Sequence, residues 1–243
     1  MNTIVTSREA ILKACCSLVM EQGLKALNIR AVAQKCGISI GAVYHYFPSK
    51  EALISSAVQE IWRLLFHMGN ETPASGSFPE YVGRLFETVQ EGMALYPHFF
   101  TLHSLAFSET EKEEARDVMA RSFVQVKAGM LSVLCEDSRV TPKAFSEAFP
   151  REDFVEFVFE SLLSLLGQLD QEGLMDQVDA VHLGEADVLT MDYAGRFQVE
   201  MHYHTDYSRD IRALLKTIEK LETNETGTIE LTWDDGSVHF IGN

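Results

Sequence analysis

The chain has 243 residues, with 20 Lys/Arg against 36 Asp/Glu, a formal net charge of −16, and 46% hydrophobic residues. That apolar content suits one or two packed cores and excludes a disordered chain. The start, MNTIVTSREA, lacks a basic segment followed by an apolar run, and no apolar stretch reaches the roughly 20 residues that span a bilayer, so a soluble cytoplasmic protein without a membrane partner is expected.

The acidic balance argues against a nucleic-acid binder until it is divided. Residues 1–60 hold six Lys/Arg and four Asp/Glu, a charge of +2, which leaves −18 for the remainder. A mildly basic end on an acidic body attracts phosphate at one end only.

In chain order, a first helix is predicted from about Ser7 to Gln22, opened by a T-x-x-E capping box at Thr6 and Glu9. Ile11, Leu12, Cys15, Leu18 and Val19 form its inward stripe, and Gly23 ends it. A second helix starts after Asn28, a good N-cap, with Ile29, Val32, Ala33 and Cys36 at i, i+3, i+4 and i+7. Gly37 stops it, because glycine takes the left-handed C′ conformation without penalty. Ile38 can fill the corner, and Ser39 can cap a third helix in which Val43 and Phe47 point inward. The opposite face then shows Gly41, Ala42, Tyr44 and His45, with Ile40 and Tyr46 at its margins. Pro48 ends that helix, Ser49 caps a fourth, and Lys50 lies in its first turn. Two helices joined by a short glycine turn, with a small residue at their crossing, form the helix-turn-helix pattern.

From Thr6 to Ala57 the chain resembles the tetracycline-repressor (TetR) family of bacterial regulators, most specifically in GISIGAVYHYFPSKEALI. The resemblance implies that Ile40, Gly41, Tyr44 and His45 face bases in the major groove, with Arg30 reaching in from the preceding helix. Each has suitable chemistry. Arg30 can make a bidentate contact to guanine, worth roughly 1–3 kcal/mol of discrimination. Tyr44 can offer its hydroxyl to a phosphate and its ring to a thymine methyl, and His45 can donate to guanine N7 or O6. Small residues at Gly41 and Ala42 let the backbones approach. Lys50 and helix N-termini can hold phosphates. Ala42 and Tyr46 are expected against the duplex backbone. The DNA-binding set is therefore Arg30, Ser39, Ile40, Gly41, Ala42, Tyr44, His45, Tyr46 and Lys50. Ile40 departs from the family, where a polar residue is common. It either packs inward or meets a thymine methyl. The resemblance also implies a homodimer, joined through late helices, and an effector bound in the helical body that changes the spacing of the two heads.

Beyond the head, the turn-rich stretch Gly69–Pro79 marks a domain joint. Helical segments follow at about 80–95, 97–107, 110–136 and 151–172. The segment FVEFVFESLLSLLGQL (Phe154 to Leu169) is apolar on most sides, as suits a central core helix or one shared with a second subunit. The tail changes character. Phe197, Val199, Met201 and Tyr203 alternate with Gln198, Glu200, His202 and His204, and a turn near Asp192–Gly195 makes a hairpin. A helix carrying Ile211, Leu214, Leu215 and Ile218 precedes a second hairpin at Asp235-Gly236, whose inward set is Ile229, Leu231, Trp233, Val238 and Phe240.

The predicted fold is mainly α. Residues 1–60 form a three-helix, helix-turn-helix DNA-binding domain, 61–180 a helical effector-binding and dimerisation body, and 187–243 a small α+β (ββαββ) extension. The four cysteines (Cys15, Cys16, Cys36, Cys135) show no CxxC spacing and read as small buried thiols. His202 and His204, with Glu200, His182 or His239, match no specific ligand pattern, so neither a metal nor a cofactor is expected. The aromatic run Tyr96 to Phe107 suits core packing or the lining of an effector pocket. No nucleophile elbow, phosphate loop or HExxH appears, so no enzyme is expected. These readings point to a ligand-responsive regulator, more a repressor than an activator, that binds a palindromic double-stranded operator as a homodimer and answers to an unidentified small molecule. A non-regulatory, architectural DNA-binding protein is the alternative.

Overall fold

The computed structural model describes residues 6–67, 77–96, 109–141, 143–184, 188–232 and 237–243. The predicted helix over 97–107, Trp233 and the Asp235-Gly236 turn lie outside them. Eight α-helices occur among the described residues: α1 (Arg8–Gln22), α2 (Ile29–Cys36), α3 (Ile40–Tyr46), α4 (Lys50–His67), α5 (Phe78–Leu95), α6 (Glu109–Glu136), α7 (Arg151–Glu172) and α8 (Ser208–Ile218). Five strands accompany them: β1 (Val178–Leu183), β2 (Val188–Tyr193), β3 (Phe197–His202), β4 (Gly227–Leu231) and β5 (Val238–Gly242). The chain divides into two compact units, residues 1–70 with 91–125, and residues 71–90 with 126–243.

In the first unit, α1 packs on α2 and α4, and α3 packs on α2. Ile11, Leu12, Cys15, Leu18 and Val19 are buried as the stripe required, and Cys16 joins them. The cap of α1 is Ser7 rather than Thr6. The helix begins one residue later than the capping box assumed, so Ser7 holds the extended backbone and its Oγ accepts from Ala10 N at 3.1 Å. Trp62, fully buried on α4, meets Phe123 edge-on at 5.3 Å between ring centres. Gly92 lets α5 approach Leu65 of α4, where a Cβ would collide with the leucine side chain.

The second unit is built around α7, which buries Val155, Val158, Phe159, Leu162, Leu165, Leu166 and Leu169. A true S-x-x-E capping box opens α5: Ser77 N donates to Glu80 Oε2 and Glu80 N to Ser77 Oγ. The sheet has five strands in sequence order, one more than the four expected. The extra strand, β1, lies partly inside the range assigned to the helical body. Its sequence VDAVHL buries Val178 and Val181, three residues apart, because the register shifts between Val178 and Ala180. That bulge hides the two-residue period by which a strand is recognised. β2 and β3 do alternate, pairing Leu189 with Met201, Met191 with Val199 and Tyr193 with Phe197. From β3 the chain crosses over through α8 and returns parallel, as β4, with Val199 beside Ile229. Ile211 and Leu214 of α8 are buried over this layer, together with Ile229 and Leu231.

His204 corrects another expectation. The alternation placed it on a solvated face beside His202, but β3 ends at His202 and the chain turns, so His204 is buried. Its Nε2 lies 2.7 Å from Asp210 Oδ2, and its ring stacks on Tyr207, whose hydroxyl meets Ser161 Oγ at 2.7 Å. His182 is instead exposed and lies 3.2 Å from Asp192 Oδ2. Among the described residues no three His, Cys, Asp or Glu side chains converge as metal ligands, and no helix is long and apolar enough to cross a membrane.

The cysteines differ from one another. Cys15 and Cys16 are buried, Cys36 is half-buried, and Cys135 is exposed, against the reading of four buried thiols. Cys135 sits one position past the buried row Phe123, Val126, Met130 and Leu134, about 100° round the helix from it. Burial is the main cause that pushes the Cys15 thiol up to about 12, and the Cys16 thiol up to about 11, from an ordinary 9.0. Both therefore stay protonated at neutral pH, and a thiolate-directed reagent should label Cys135 rapidly and Cys15 and Cys16 only on unfolding. Because the folded state holds these protons more tightly, their contribution to stability is complete below about pH 9 and is lost as pH rises towards 12. Mass spectrometry of timed alkylation checks the order. Equal rates at Cys15 and Cys135 would contradict the packing of α1.

Candidate nucleic-acid interface

The helix-turn-helix is set by local chemistry at each end of α2 and α3. Asn28 Oδ1 accepts from Ala31 N at 3.0 Å and fixes the start of α2. At its end Gly37 adopts φ 66°, ψ 29°, and Ile38 N donates to Ala33 O at 3.0 Å. The left-handed residue turns the chain while the last carbonyls of α2 stay satisfied. Ser39 Oγ accepts from Ala42 N at 3.1 Å and starts α3 only two residues after the turn.

Val43 and Phe47 hold α3 down. Both are essentially fully buried, and each contributes on the order of 1.5–3 kcal/mol by leaving water. Arg8 covers Phe47 from α1, its guanidinium 5.1 Å from the ring centre, while Arg8 Nη2 donates to Ser56 Oγ at 3.0 Å. Tyr46 adds a clamp: its hydroxyl donates to the Thr6 carbonyl at 2.7 Å. With these residues facing in, the opposite side of α3 must face out. Ile40 is 42% and Tyr44 47% exposed. Gly41 and His45 are exposed too, and Ala42 is half-buried.

The predicted contact residues thus sort by what their polar atoms already do. Ile40 points to solvent and does not pack into the core. Ser39 uses its lone pair as a cap and keeps its O–H proton for another acceptor. Tyr46 spends its only hydroxyl proton on Thr6, so it cannot also donate to a phosphate. Its ring meets His45 edge-on at 5.2 Å. Arg30, in the first turn of α2, and Lys50, the first residue of α4, are exposed and make no ion pair among the described residues. Lys35 differs: its ammonium lies 2.6 Å from Glu21, and that hydrogen bond is the largest cause holding the Glu21 carboxyl below its usual range. Ser49 Oγ caps α4 by accepting from Ala52 N at 3.0 Å. Sequence reasoning missed Thr6 and Arg8 as anchors of α3. Thr6 lies 40 residues from Tyr46, and Arg8 reaches both Phe47 and, 48 residues away, Ser56 of α4, so no local pattern signals such contacts.

A capped, glycine-turned helix pair that presents an exposed aromatic face beside an uncommitted arginine is a helix-turn-helix DNA-binding head. Residues 11–57 match the family model for bacterial regulatory proteins of the tetR family. Over 66 residues the chain is 35% identical to the HTH-type transcriptional repressor KstR of Rhodococcus jostii, a match covering 27% of this chain and 31% of that protein. The chain thus spans about a third of the length of the curated relatives it matches. In fold it is similar to the fatty acid degradation regulator FadR from Bacillus halodurans, with TM-score 0.50 and 16% identity over 70% of this chain and 88% of that one. It is likewise similar to FadR from Bacillus subtilis in complex with stearoyl-CoA, with TM-score 0.50 and 14% identity over 69% and 89%.

Tyr46→Phe removes one part-buried hydrogen bond and nothing else. It should lower stability by about 0.5–1.5 kcal/mol in a denaturant melt. An unchanged midpoint would show that the clamp to Thr6 does not hold α3.

Proposed function

We propose that this protein is a ligand-responsive transcriptional repressor that binds a palindromic double-stranded operator as a homodimer. The observation that carries the reading is the outward face of α3, with Ile40, Gly41, Tyr44 and His45 exposed while Val43 and Phe47 are buried. Seated in a major groove, that face puts the Tyr44 ring and the Ile40 side chain within reach of thymine methyls and the His45 ring at a guanine edge. Arg30 supplies the bidentate guanine contact. Ser39 and Lys50 hold phosphates, and Ala42 allows close approach of the backbone. Tyr46 acts as a positioning residue, since its proton is committed to Thr6.

Two heads on a twofold axis read half-sites about 34–36 Å apart, or somewhat more. Pairing through α7 is supported by a row of half-buried residues, Leu163, Ser164, Gly167 and Gln168, beside its buried stripe. That a relative in sequence is named a repressor, and that a protein of the same fold was crystallised with stearoyl-CoA, support repression and ligand response. The ligand acts by binding one head spacing better than another, and shifts the equilibrium by no more than that difference in affinity. The acidic remainder, at −18, repels DNA away from the head and disfavours the architectural alternative.

Genomic fragments captured by the purified protein should converge on one palindrome. On that site Arg30→Ala and Tyr44→Ala should each weaken binding by about 1–3 kcal/mol, roughly five- to 150-fold, with melting temperature and oligomeric state unchanged. Binding that is broad, strongly salt-dependent and indifferent to both substitutions would favour an architectural protein instead.

A further inference from the structure

The second unit contains an open cavity of about 740 Å³, walled by the starts of α5 and α7, the end of α6, the loop between α6 and α7, and the sheet. Resting on the reading of the protein as ligand-responsive, we propose that this cavity binds the effector, an uncharged small molecule with an aromatic or fused-ring apolar body and one hydrogen-bond acceptor.

The volume lies within the range of small-molecule sites, whereas protein interiors otherwise close up. The walls are aromatic. Phe154 is the hub, with ring centres of Phe78, Phe145 and Phe149 at 5.7, 5.5 and 6.4 Å from its own. Phe149 leaves 45% of its surface exposed, and Phe157 meets Tyr203 at 6.4 Å. Such walls hold water poorly and offer flat faces to rings.

The polar groups narrow the class further. Asp137 and Arg139 also line the cavity, but they are spent on each other. The Asp137 carboxylate takes Phe78 N at 2.8 Å and the Arg139 guanidinium at 3.0 Å. The backbone hydrogen bond from Phe78, ahead of the Arg139 contacts, holds Asp137 below its usual range, so the pair stays ionised and internally neutral. No charge is left over for a charged headgroup. Tyr203 is different. It lines the cavity, and its buried hydroxyl has no hydrogen-bond partner among the described residues. A phenol kept protonated by burial is a donor without an acceptor, and an occupant carrying a carbonyl, ether or hydroxyl oxygen supplies one. Leu183 and Gly184, at the end of β1, and Tyr203, just past β3, belong to the sheet layer. The C-terminal sheet is therefore part of the sensor.

The test is a titration of the full chain, without DNA, by prodan, a naphthyl ketone whose emission reports hydrogen bonding to its carbonyl. One saturable site is expected. Ala144→Trp, which fills the cavity from an exposed loop position, should weaken binding at least about tenfold, and Phe149→Ala, which strips a wall, should weaken it independently. Tyr203→Phe should weaken it roughly three- to tenfold and shift the emission to shorter wavelength. Absence of a saturable site, or equal binding by the Ala144→Trp and Phe149→Ala variants, would overturn the site. An unchanged Kd and spectrum in Tyr203→Phe would overturn the acceptor. Because no DNA is present, these failures leave operator binding untouched, and a chain that ignores DNA but passes the titration refutes the repressor instead.

Discussion

The seating of α3 through Val43 and Phe47 is the contact on which the proposed function depends. A seven-residue helix has too few internal hydrogen bonds to persist alone in water. Its start is fixed by Ser39, two residues after the left-handed Gly37, and its end by burial of Phe47 beneath the Arg8 guanidinium. Once those residues are buried, helical geometry leaves Ile40, Gly41, Tyr44 and His45 no side but the outer one. The proposed reading face is thus a by-product of packing. It costs little stability, because none of its residues holds the fold.

The same economy divides the charges. The six Lys/Arg of residues 1–60 are of two kinds: Arg8 and Lys35 hold side-chain partners within the protein, whereas Lys13, Lys25, Arg30 and Lys50 are exposed, the last two at helix starts. Only the second kind can neutralise phosphate without first breaking a contact. With the remainder of the chain at −18, residues 1–60 are the part of the chain whose net charge, +2, favours a duplex. This division favours orientation over sheer affinity.

The legible parts of the structure were those whose causes are local. Asn28, Gly37, Ser39 and Ser49 act on backbone groups within three or four residues, so the helix-turn-helix could be placed to the residue. Strands β2 and β3 were legible because both faces of their alternation survive pairing. What escaped depends on distant or broken patterns. The bulge in β1 breaks the two-residue period, and the alternation beyond His202 continues in sequence after the strand has ended, which put His204 on the wrong side. The Tyr46–Thr6 clamp and the Arg8–Phe47 stack join residues about 40 positions apart, and residue types alone do not announce them. The cavity belongs to this second group, since its walls come from five stretches of chain and neither the loop nor the sheet reads as a pocket by itself.

Gly41 separates reading from folding most directly. A Cβ there would meet only Ser39 Oγ, at an ordinary 3.8 Å, and the position is exposed, so a side chain added there extends into solvent. On the outer face of α3 the same side chain stands where a duplex would lie. For Gly41→Leu the account predicts a melting temperature no lower than that of the parent chain, since leucine favours the helix more than glycine, together with operator binding weakened at least about tenfold in a mobility-shift titration. Operator affinity equal to that of the parent chain would contradict it.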